Sequence, residues 1–300
     1  MKLILSIPLF SAILFAQTPA PNLSSTLSLV ETGHCQQAFA AIPRNITTLR
    51  DPTIRKRAGL AGLLCATEAG DTSAALGYLS QLTSAFPRDP DVLLSSTHAF
   101  SALADHAADE LHQVAPNSAA AYQLAGESAE MAGKTDDAIN EYRRELQANP
   151  RAPEIHYRIG RLILSKQHTA QSVAAGRNEM LLELQNNPQY AGAEFVLGEL
   201  AQEAGQWPQA VQHFGRATQL DPTFGDAFLG LGIALFGENN LPQAIPALER
   251  AEQLDSQNSE VHRQLAIAYV RMNRPADAQR ESALQRQTQS QTPPPPARAQ

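Results

Sequence analysis

The sequence has little of several residue types that mark particular protein classes. Its 300 residues include two cysteines, one tryptophan and 6% aromatic residues, so a core must consist largely of alanine and aliphatic side chains. Basic residues are in the minority, 23 against 30 acidic ones, and the formal charge of −7 argues against a nucleic-acid-binding surface. No continuous apolar run reaches the ~20 residues of a permanent membrane-spanning helix. The 43% of hydrophobic residues is nevertheless sufficient for a folded core.

The first sixteen residues are typical of an export signal. After a positive charge at Lys2, an apolar stretch covers residues 3–15 and Ala16 ends it. A charge, a short apolar segment and a small residue at the cleavage position are the features of a secretory signal peptide. The sequence predicts a signal peptide at 1–16, a linker at 17–21 and an exported chain, periplasmic or secreted, with no membrane span after cleavage. A retained anchor and a buried N-terminal helix are the alternatives.

Export determines how the two cysteines are interpreted. Cys35 and Cys65 are the only thiols, and neither belongs to a CxxC motif. Two cysteines in an oxidising compartment more often pair than stay free. The sequence therefore predicts a disulfide between Cys35 and Cys65, and two buried free thiols are the alternative.

A period of 34 residues organises the middle and the C-terminal half of the chain. Small residues at two positions and proline at a third recur at spacings of 34 or 38 residues. The first small position is Gly126, Gly160, Gly198, Gly232 and Ala266; the second is Ala138, Gly176, Ala210, Ala244 and Ala278; the proline position is Pro116, Pro150, Pro188 and Pro222. The 38-residue intervals indicate one four-residue insertion, between Gly160 and Gly176. A fixed period of this length is the signature of a repeat architecture.

Each period predicts two short helices. In residues 224–255 the apolar side chains follow three- and four-residue steps, which is a helical pattern. Residues 239–240 interrupt the pattern, and Pro242 lies where the first turn of a second helix tolerates proline. Small residues at the repeated positions let the two helices approach closely, so that larger neighbours such as Leu231 and Leu248 fill the space between them.

These positions resemble the tetratricopeptide repeat, in which an aromatic residue, Leu-Gly, a bulky residue, Ala, a second aromatic and a terminal Pro recur. The best copies contain Tyr122, Gly126, Ala138, Tyr142 and Pro150; Leu197, Gly198, Ala210, Phe214, Ala217 and Pro222; and Phe228, Leu231, Gly232, Ala244, Leu248 and Ala251. A weaker last copy has His262, Leu265 and Tyr269. The resemblance covers residues 117–284 and implies an all-α, right-handed superhelical solenoid of antiparallel helix pairs. Residues 22–116 fit diverged N-terminal helical repeats.

The composition changes again near the C-terminus. Residues 285–300 are mostly Gln, Thr, Pro and Arg, with four consecutive prolines at 293–296. Such a run cannot bury apolar surface, and its prolines favour extended conformations. The sequence predicts a disordered Gln/Pro-rich tail, and a ligand for a proline-recognising domain is the alternative.

Motifs of catalysis and metal binding were not found in the sequence. The eight histidines form no HExxH pair, which would place two zinc ligands on one helical face. There is no GxSxG motif and no complete GxxxxGKS or GxxxxGKT phosphate loop. The sequence therefore predicts a protein that is not an enzyme and uses neither a cofactor nor a metal.

The resemblance implies a binding surface. In this family the first helix of each pair lines a concave groove that binds peptides, and Gln202 and Val270 belong to that lining here. The residues expected to contact a partner are Tyr157, Arg158, Arg161, Leu164, Phe195, Glu199, Leu229, Ile233, Phe236, Arg263 and Ile267. The Lys and Asn residues with which some members bind a terminal carboxylate are not reproduced. The apolar members form a patch that is unusual for a solvated groove, so coverage by a neighbouring repeat, a capping helix or a second subunit is an equal alternative.

The expected function is a non-catalytic protein–protein interaction scaffold. A segment of a protein or peptide partner would bind in the groove through apolar anchors, as helices bind in grooves elsewhere. Arg158, Arg161 and Arg263 would provide polar selectivity. The alternative is a structural component of a cell-envelope assembly that self-associates into a homo-oligomer.

Overall fold

The computed structural model describes residues 22–166 and 169–291 of the chain. These residues form fifteen α-helices and two short 3-10 helices, and no β-strand occurs among them. The predicted all-α fold is therefore confirmed. The predicted signal peptide and linker lie outside the described residues. None of the helices that the structure describes is long and apolar enough to cross a membrane. The chain divides into two compact units, with unit 1 ending at Ala115 and unit 2 beginning at Pro116.

Residues 22–115 of unit 1 form five α-helices of very different length. They are α1 (Leu23–Glu31), α2 (Cys35–Ala38), α3 (Pro52–Glu68), α4 (Thr72–Ala85) and α5 (Pro90–Val114), with 3-10 helices at Phe39–Ala41 and Ile46–Thr48.

Aspartate side chains begin the three long helices of unit 1. Asp51, Asp71 and Asp89 each accept hydrogen bonds from backbone N–H groups in the first turn of α3, α4 and α5. These are the donors that an isolated helix leaves unsatisfied at its N-terminus. Pro52 and Pro90 follow two of these caps, at the helical position where a missing N–H costs nothing.

The core of unit 1 includes a close contact between α3 and α4. A disulfide joins α2 to α3. Tyr78 of α4 is buried against Gly62 of α3, where an added Cβ would lie 2.4 Å from the tyrosine ring. Cys35 at the start of α2 is bonded to Cys65 on α3, with 5.0 Å between their Cα atoms. The predicted disulfide is therefore present, and both of its cysteines belong to the buried core.

The described part of unit 2 forms ten helices that pack as five successive pairs. The pairs are α6 (Ala119–Met131) with α7 (Thr135–Ala148), α8 (Ile155–Lys166) with α9 (Ala170–Asn186), α10 (Ala191–Glu203) with α11 (Trp207–Leu220), α12 (Gly225–Gly237) with α13 (Leu241–Leu254), and α14 (Ser259–Arg271) with α15 (Pro275–Gln291). Each second helix also contacts the first helix of the following pair.

A left-handed residue follows the first helix of four of these pairs. Gly133, Gly205, Asn239 and Asn273 have φ values between 57° and 70°. Glycine and asparagine are the residues that adopt this conformation at lowest cost, and it commonly ends a helix. The reversal between the two helices of a pair therefore has the same local cause in each of these repeats.

Glycines on the first helices admit large side chains from the second helices. An added Cβ at Gly198 would lie 2.7 Å from the ring of Phe214, and one at Gly232 would lie 2.5 Å from Leu248. Phe214 and Leu248 are both fully buried. Gly198 and Gly232 thus occupy equivalent positions, and the 34-residue period has its cause in helix-to-helix packing.

The last helix extends into the segment that was predicted to be a disordered tail. Helix α15 ends at Gln291, so residues 285–291 are helical and the predicted boundary is corrected. The physical reason is that Gln and Arg are good helix formers, and the first proline of the segment is Pro293. Thr288 is buried, so this part of the helix also packs. Residues 292–300 lie outside the described part of the chain.

Candidate functional site

The predicted binding residues lie on four first helices of unit 2. Helix α10 contacts α12, and α12 contacts α14, in addition to the contacts within each pair. We call the surface formed by α6, α8, α10, α12 and α14 the first-helix face. The predicted residues on it are Tyr157, Arg158, Arg161 and Leu164 on α8, Phe195 and Glu199 on α10, Leu229, Ile233 and Phe236 on α12, and Arg263 and Ile267 on α14.

Phe195 is half-buried by aromatic contacts with neighbouring helices. Its ring centroid lies 5.6 Å from that of Phe214 on α11 and 4.8 Å from that of Phe224, the residue before α12. Offset or tilted rings at these separations attract each other. Phe195 therefore contributes to the contact between two repeats as well as to the first-helix face.

Two other apolar members contact the C-terminal core. Leu229 and Phe236 pack against a buried cluster that includes Leu248 and Leu265. The guanidinium of Arg271 lies 4.6 Å from the centroid of the Phe236 ring, a cation–π distance. The neighbouring repeat thus covers part of the apolar patch. Coverage of this kind was the alternative to an open, peptide-binding groove.

Three apolar residues of the predicted set differ in how closely they pack against other side chains. Leu164 fills the space beside Gly176 on α9, where an added Cβ would lie 2.5 Å from it. Ile233 and Ile267 are half-buried and belong to none of the core clusters that the described residues form. Their side chains are the least committed to packing among the apolar residues predicted to bind.

Aromatic and basic side chains meet on α8. The rings of Tyr157 and Tyr190 are edge to face, with centroids 4.9 Å apart. The exposed guanidinium of Arg161 lies 5.8 Å from the centroid of Tyr157. Arg161 therefore has a cation–π contact while its charged group remains accessible to solvent.

Arg158 already has several partners within the protein. Its guanidinium lies 3.3 Å from Glu130 and 3.7 Å from Glu127, both on α6. It also donates a hydrogen bond of 3.4 Å to the hydroxyl of Tyr142 on α7. Arg158 joins two repeats, and a partner would have to compete with these groups for it.

Arg263 is likewise paired, here with a residue of its own helix. Its Nε donates a 2.7 Å hydrogen bond to Glu260, and a second guanidinium nitrogen bonds to the other carboxylate oxygen. Such a two-point contact is the strong form of an arginine–carboxylate pair. Of the three arginines expected to select a partner, Arg161 is the one for which the described residues show no ion pair, and its charge acts at longer range on Glu199.

Glu199 lies in a locally acidic part of the first-helix face. Burial raises the pKa of its carboxyl, and the nearby charge of Glu203 acts in the same direction. Arg161 opposes this effect, and Asp226 on α12 adds to it. Glu199 as a residue is exposed. The proximity of Asp226 to Glu199 was not recognised from the sequence, because it depends on the packing of α10 beside α12. Glu203 lies one helical turn after Glu199 on α10, so its proximity was present in the sequence.

An unsatisfied amide lies on the same turn of α10. Gln202 is half-buried, and its Oε1 is buried without a hydrogen-bond partner. Gln202 is three residues after Glu199 and therefore on the same side of the helix. The two side chains together provide carboxylate and amide oxygens, which accept hydrogen bonds.

Two glutamates lie at a repeat position that the other clear copies fill with alanine. Glu145 and Glu183 are buried, whereas Ala217 and Ala251 occupy the equivalent position in the next two repeats. Burial raises the pKa of Glu145 to about 7, with repulsion by Glu127 as the second cause. Both residues could have been identified from the sequence, because a glutamate occupies a repeat position that has alanine in other copies.

Histidine–glutamate pairs recur between the first and second helices. In three of the five pairs of helices a histidine Nδ1 lies 2.7–2.9 Å from a carboxylate oxygen. The pairs are His156 with Glu179, His213 with Glu194, and His262 with Glu281. His156, Glu194 and His262 occupy equivalent positions in the repeat, so the middle pair has its partners exchanged. This relationship was present in the sequence but was not recognised.

Comparison with known families identifies the repeat. Models of the tetratricopeptide repeat match residues 124–179, 195–259 and 235–293, which together are just over half of the chain. The chain therefore belongs to the tetratricopeptide repeat family. No curated protein sequence matches it.

Solved structures share the fold at low sequence identity. A crystal structure of MamA has a TM-score of 0.50 and 18% identity, covering 57% of this chain and 92% of that one. MamA 41-end from Desulfovibrio magneticus RS-1 has a TM-score of 0.51 and 19% identity, covering 58% and 97%. YrrB, described as a TPR protein with an unusual peptide-binding site, has a TM-score of 0.52 and 15% identity, covering 62% and 93%. These similarities concern the fold alone.

Proposed function

We propose that unit 2 is a non-catalytic interaction module that binds a segment of a partner protein on the first-helix face. Membership of a repeat family of interaction scaffolds supports this function, and the peptide-binding site named for YrrB is a precedent on a similar fold. The partner segment would lie across α8, α10, α12 and α14. The residues predicted from the sequence remain the candidates for contact, and their packing suggests different roles for them.

The observation that carries the proposal is the pair of hydrogen-bond acceptors that Glu199 and Gln202 form on one turn of α10. Glu199 is exposed, and its carboxylate is influenced by the negative charge of Asp226 on α12 and by the opposing charge of Arg161. A cationic side chain of a partner would form charge-assisted hydrogen bonds with Glu199. Gln202 Oε1, which lacks a donor, would be a second acceptor for the same group.

Apolar contacts would supply the remaining affinity. Ile233 and Ile267 lie on α12 and α14, outside the core clusters of the described residues. Val270, one turn after Ile267, is 66% exposed. A partner segment with a basic residue and aliphatic anchors matches these features, whereas Phe195 and Phe236 contribute mainly to the stability of the module.

A library of short peptides with matched apolar content tests this function. We expect the wild-type chain to select peptides that contain Lys or Arg beside aliphatic residues. Glu199→Lys should weaken binding of the selected peptides by about tenfold, which corresponds to 1.4 kcal/mol. Combined replacement of Ile233 and Ile267 by Ser should weaken it further. Fluorescence anisotropy with labelled peptides measures both effects.

Asp137→Lys is the matched control. This substitution makes the same change in charge at an exposed position on the second helix α7. It should leave peptide binding unchanged if the first-helix face is the site. Equal weakening by Asp137→Lys and Glu199→Lys, selection of acidic peptides, or selection of none would contradict the proposal.

Self-association is the alternative function, and the exposed apolar side chain of Val270 supports it. A second copy of the chain would then cover the apolar part of the first-helix face. Light scattering at increasing concentration distinguishes the two functions, because the alternative requires a larger mass that Val270→Ser reduces. A monomer at all concentrations would exclude it.

We also propose that the chain acts outside the cytoplasm. The Cys35–Cys65 disulfide is compatible with an oxidising compartment, where such bonds persist. N-terminal sequencing of the protein from fractionated cells tests this. A chain that begins at residue 17 in the envelope or medium is expected, and an intact Met1 on cytoplasmic protein would contradict export.

A further inference from the structure

Three side chains from three successive helices converge near the C-terminal end of unit 2. Glu252 on α13, His262 on α14 and Glu281 on α15 each present one atom that can bind a metal, and these atoms lie within 4.8 Å of one another. His262 Nδ1 is 2.9 Å from Glu281 Oε2 and 3.8 Å from Glu252 Oε1. We call this group the His262 cluster. It is the one three-ligand group of this kind among the residues that the structure describes.

The cluster is buried on one side and open on the other. His262 is 1% exposed and Glu281 is 0% exposed, so neither is a solvated surface group. The side chain of Glu252 keeps 29% of its accessible surface. Glu252 therefore provides the route by which an ion from solvent would reach the two buried ligands, a requirement that any metal site must meet.

Hydrogen bonds outside the cluster orient both buried ligands. His262 Nε2 lies 3.1 Å from the backbone carbonyl oxygen of Ser256. A carbonyl oxygen only accepts hydrogen bonds, so Nε2 carries a hydrogen. The contact between Nδ1 and Glu281 Oε2 holds a further proton in the metal-free protein, and a bound cation would displace this proton to reach the Nδ1 lone pair. Arg280 donates a 3.0 Å hydrogen bond to Glu281 Oε1, which leaves Oε2 directed at His262. Metal-binding histidines and carboxylates are usually held by a second set of contacts of this kind.

A second carboxylate distinguishes this group from the other histidine–glutamate pairs. His213 at the equivalent contact has Glu194 beside its Nδ1, and no metal-sized group of three ligands forms around it in the described residues. When a cation displaces the proton between His262 and Glu281, the two carboxylates of the cluster carry a charge of −2, of which Arg280 offsets one unit. The excess negative charge and the presence of both nitrogen and oxygen ligands suit a divalent cation.

We propose that the His262 cluster binds a divalent transition-metal ion such as Zn²⁺. The ligands would be His262 Nδ1 and one oxygen each from Glu252 and Glu281, with water at the remaining position. Zinc–nitrogen and zinc–oxygen bonds of about 2.0–2.2 Å imply ligand atoms about 3.3–3.5 Å apart in a tetrahedral site. The distances of 2.9 Å and 3.8 Å from His262 Nδ1 lie on either side of this range, and all three ligand atoms lie within 4.8 Å of one another, so adjustments of up to about 1.3 Å would suffice. The ion would join the last three helices at one point.

Zinc binding to the full chain without an affinity tag tests the proposal. After removal of bound metals with a chelator, ZnCl₂ is titrated by calorimetry and zinc content is measured by mass spectrometry. We expect one Zn²⁺ per chain and a higher melting temperature, by about 5 °C when zinc is 100-fold above its Kd. Glu252→Gln should weaken zinc binding at least about tenfold. Co²⁺ in place of Zn²⁺ should give a visible absorption band, which that variant loses.

His213→Gln and His156→Gln are the matched controls, since each removes a histidine–glutamate pair that has a single carboxylate. Both should retain full zinc affinity. Glu252 is partly exposed and makes no contact as short as that of Glu281, so Glu252→Gln should remain folded, which circular dichroism verifies. Absence of stoichiometric zinc binding would overturn the proposal. Unchanged affinity in Glu252→Gln, or equal weakening in both histidine controls, would overturn it as well.

Discussion

Glu145 and Glu183 occupy equivalent positions on α7 and α9, but only Glu183 has hydrogen bonds to both of its carboxylate oxygens. Its two oxygens accept hydrogen bonds from the backbone N–H groups of Glu154 and Tyr157, at the start of α8. A carboxylate at a helix N-terminus is favoured because those N–H groups are otherwise unsatisfied and the helix dipole is positive there. Glu145 Oε2 is buried without any such partner. The same substitution of glutamate for alanine therefore has different physical consequences in two adjacent repeats.

The stability of unit 2 should fall as pH rises, because of Glu145. Burial raises its pKa to about 7 in the folded protein, from 4.5 when unfolded. The folded state therefore binds the proton more tightly, and this contribution is complete below pH 4.5 and lost as pH rises to about 7. The shift corresponds to about 3 kcal/mol. Urea unfolding at pH 5 and pH 8 measures it.

Glu145→Gln should remove this part of the pH dependence while preserving the stability of the protonated form. Glu238→Gln, at an exposed position after α12, is the control and should leave the pH dependence unchanged. Equal pH dependence in the wild type and in Glu145→Gln would show that the carboxyl of Glu145 is not the group responsible.

Gly198→Ala should destabilise unit 2. The new methyl group would lie 2.7 Å from the Phe214 ring, closer than atoms in contact allow, so the two helices must separate. We expect a loss of about 1–3 kcal/mol, typical of overpacking. Gly215→Ala is the matched control, since no atom lies within 4 Å of its added Cβ. It should gain up to about 1 kcal/mol through helix propensity. Urea unfolding, followed by the fluorescence of Trp207 on α11, compares the stability of the two variants. If Gly198→Ala were as stable as Gly215→Ala, the close packing of Gly198 against Phe214 would be contradicted.

Replacing both Cys35 and Cys65 by Ser should destabilise unit 1. The bond spans 30 residues, and losing a disulfide of this kind costs about 2–4 kcal/mol in the chain-entropy account. The expected result is an earlier unfolding transition in circular dichroism, and reduced wild-type protein should behave in the same way. Trp207 lies in unit 2, so its fluorescence is an internal reference for the part of the chain without the bond. An unchanged circular dichroism transition would mean that the disulfide adds no stability.

The repeat period was sufficient to predict the pairing of helices in unit 2. Its markers are positions where a side chain larger than glycine or alanine does not fit, as Gly198 against Phe214 illustrates. Such steric constraints act between residues at a fixed separation, so they appear directly in the sequence. The segment 285–291 was mispredicted because its low hydrophobicity concealed a continuous helix-forming composition.

The candidate site was less accessible to prediction, because its properties depend on partners from other helices. Arg158 was expected to be available for a ligand, yet Glu127 and Glu130 of the preceding repeat already contact it. The carboxylates around Glu199 and the group around His262 likewise combine residues from different helices. The repeat register identifies which residues are equivalent. It does not identify which side chains meet across a boundary between repeats.

The exchanged histidine–glutamate pair of α10 and α11 limits how repeats of this chain can be recombined. Placing α11 beside α8 would bring His213 against His156, and placing α9 beside α10 would bring Glu179 against Glu194. Either chimera would place two histidines or two glutamates against each other in a partly buried contact. A whole hairpin, by contrast, carries both members of its pair wherever it is inserted. The smallest segment that duplication or engineered shuffling can transfer without harm is therefore the hairpin, and single helices are not interchangeable even where their apolar patterns agree.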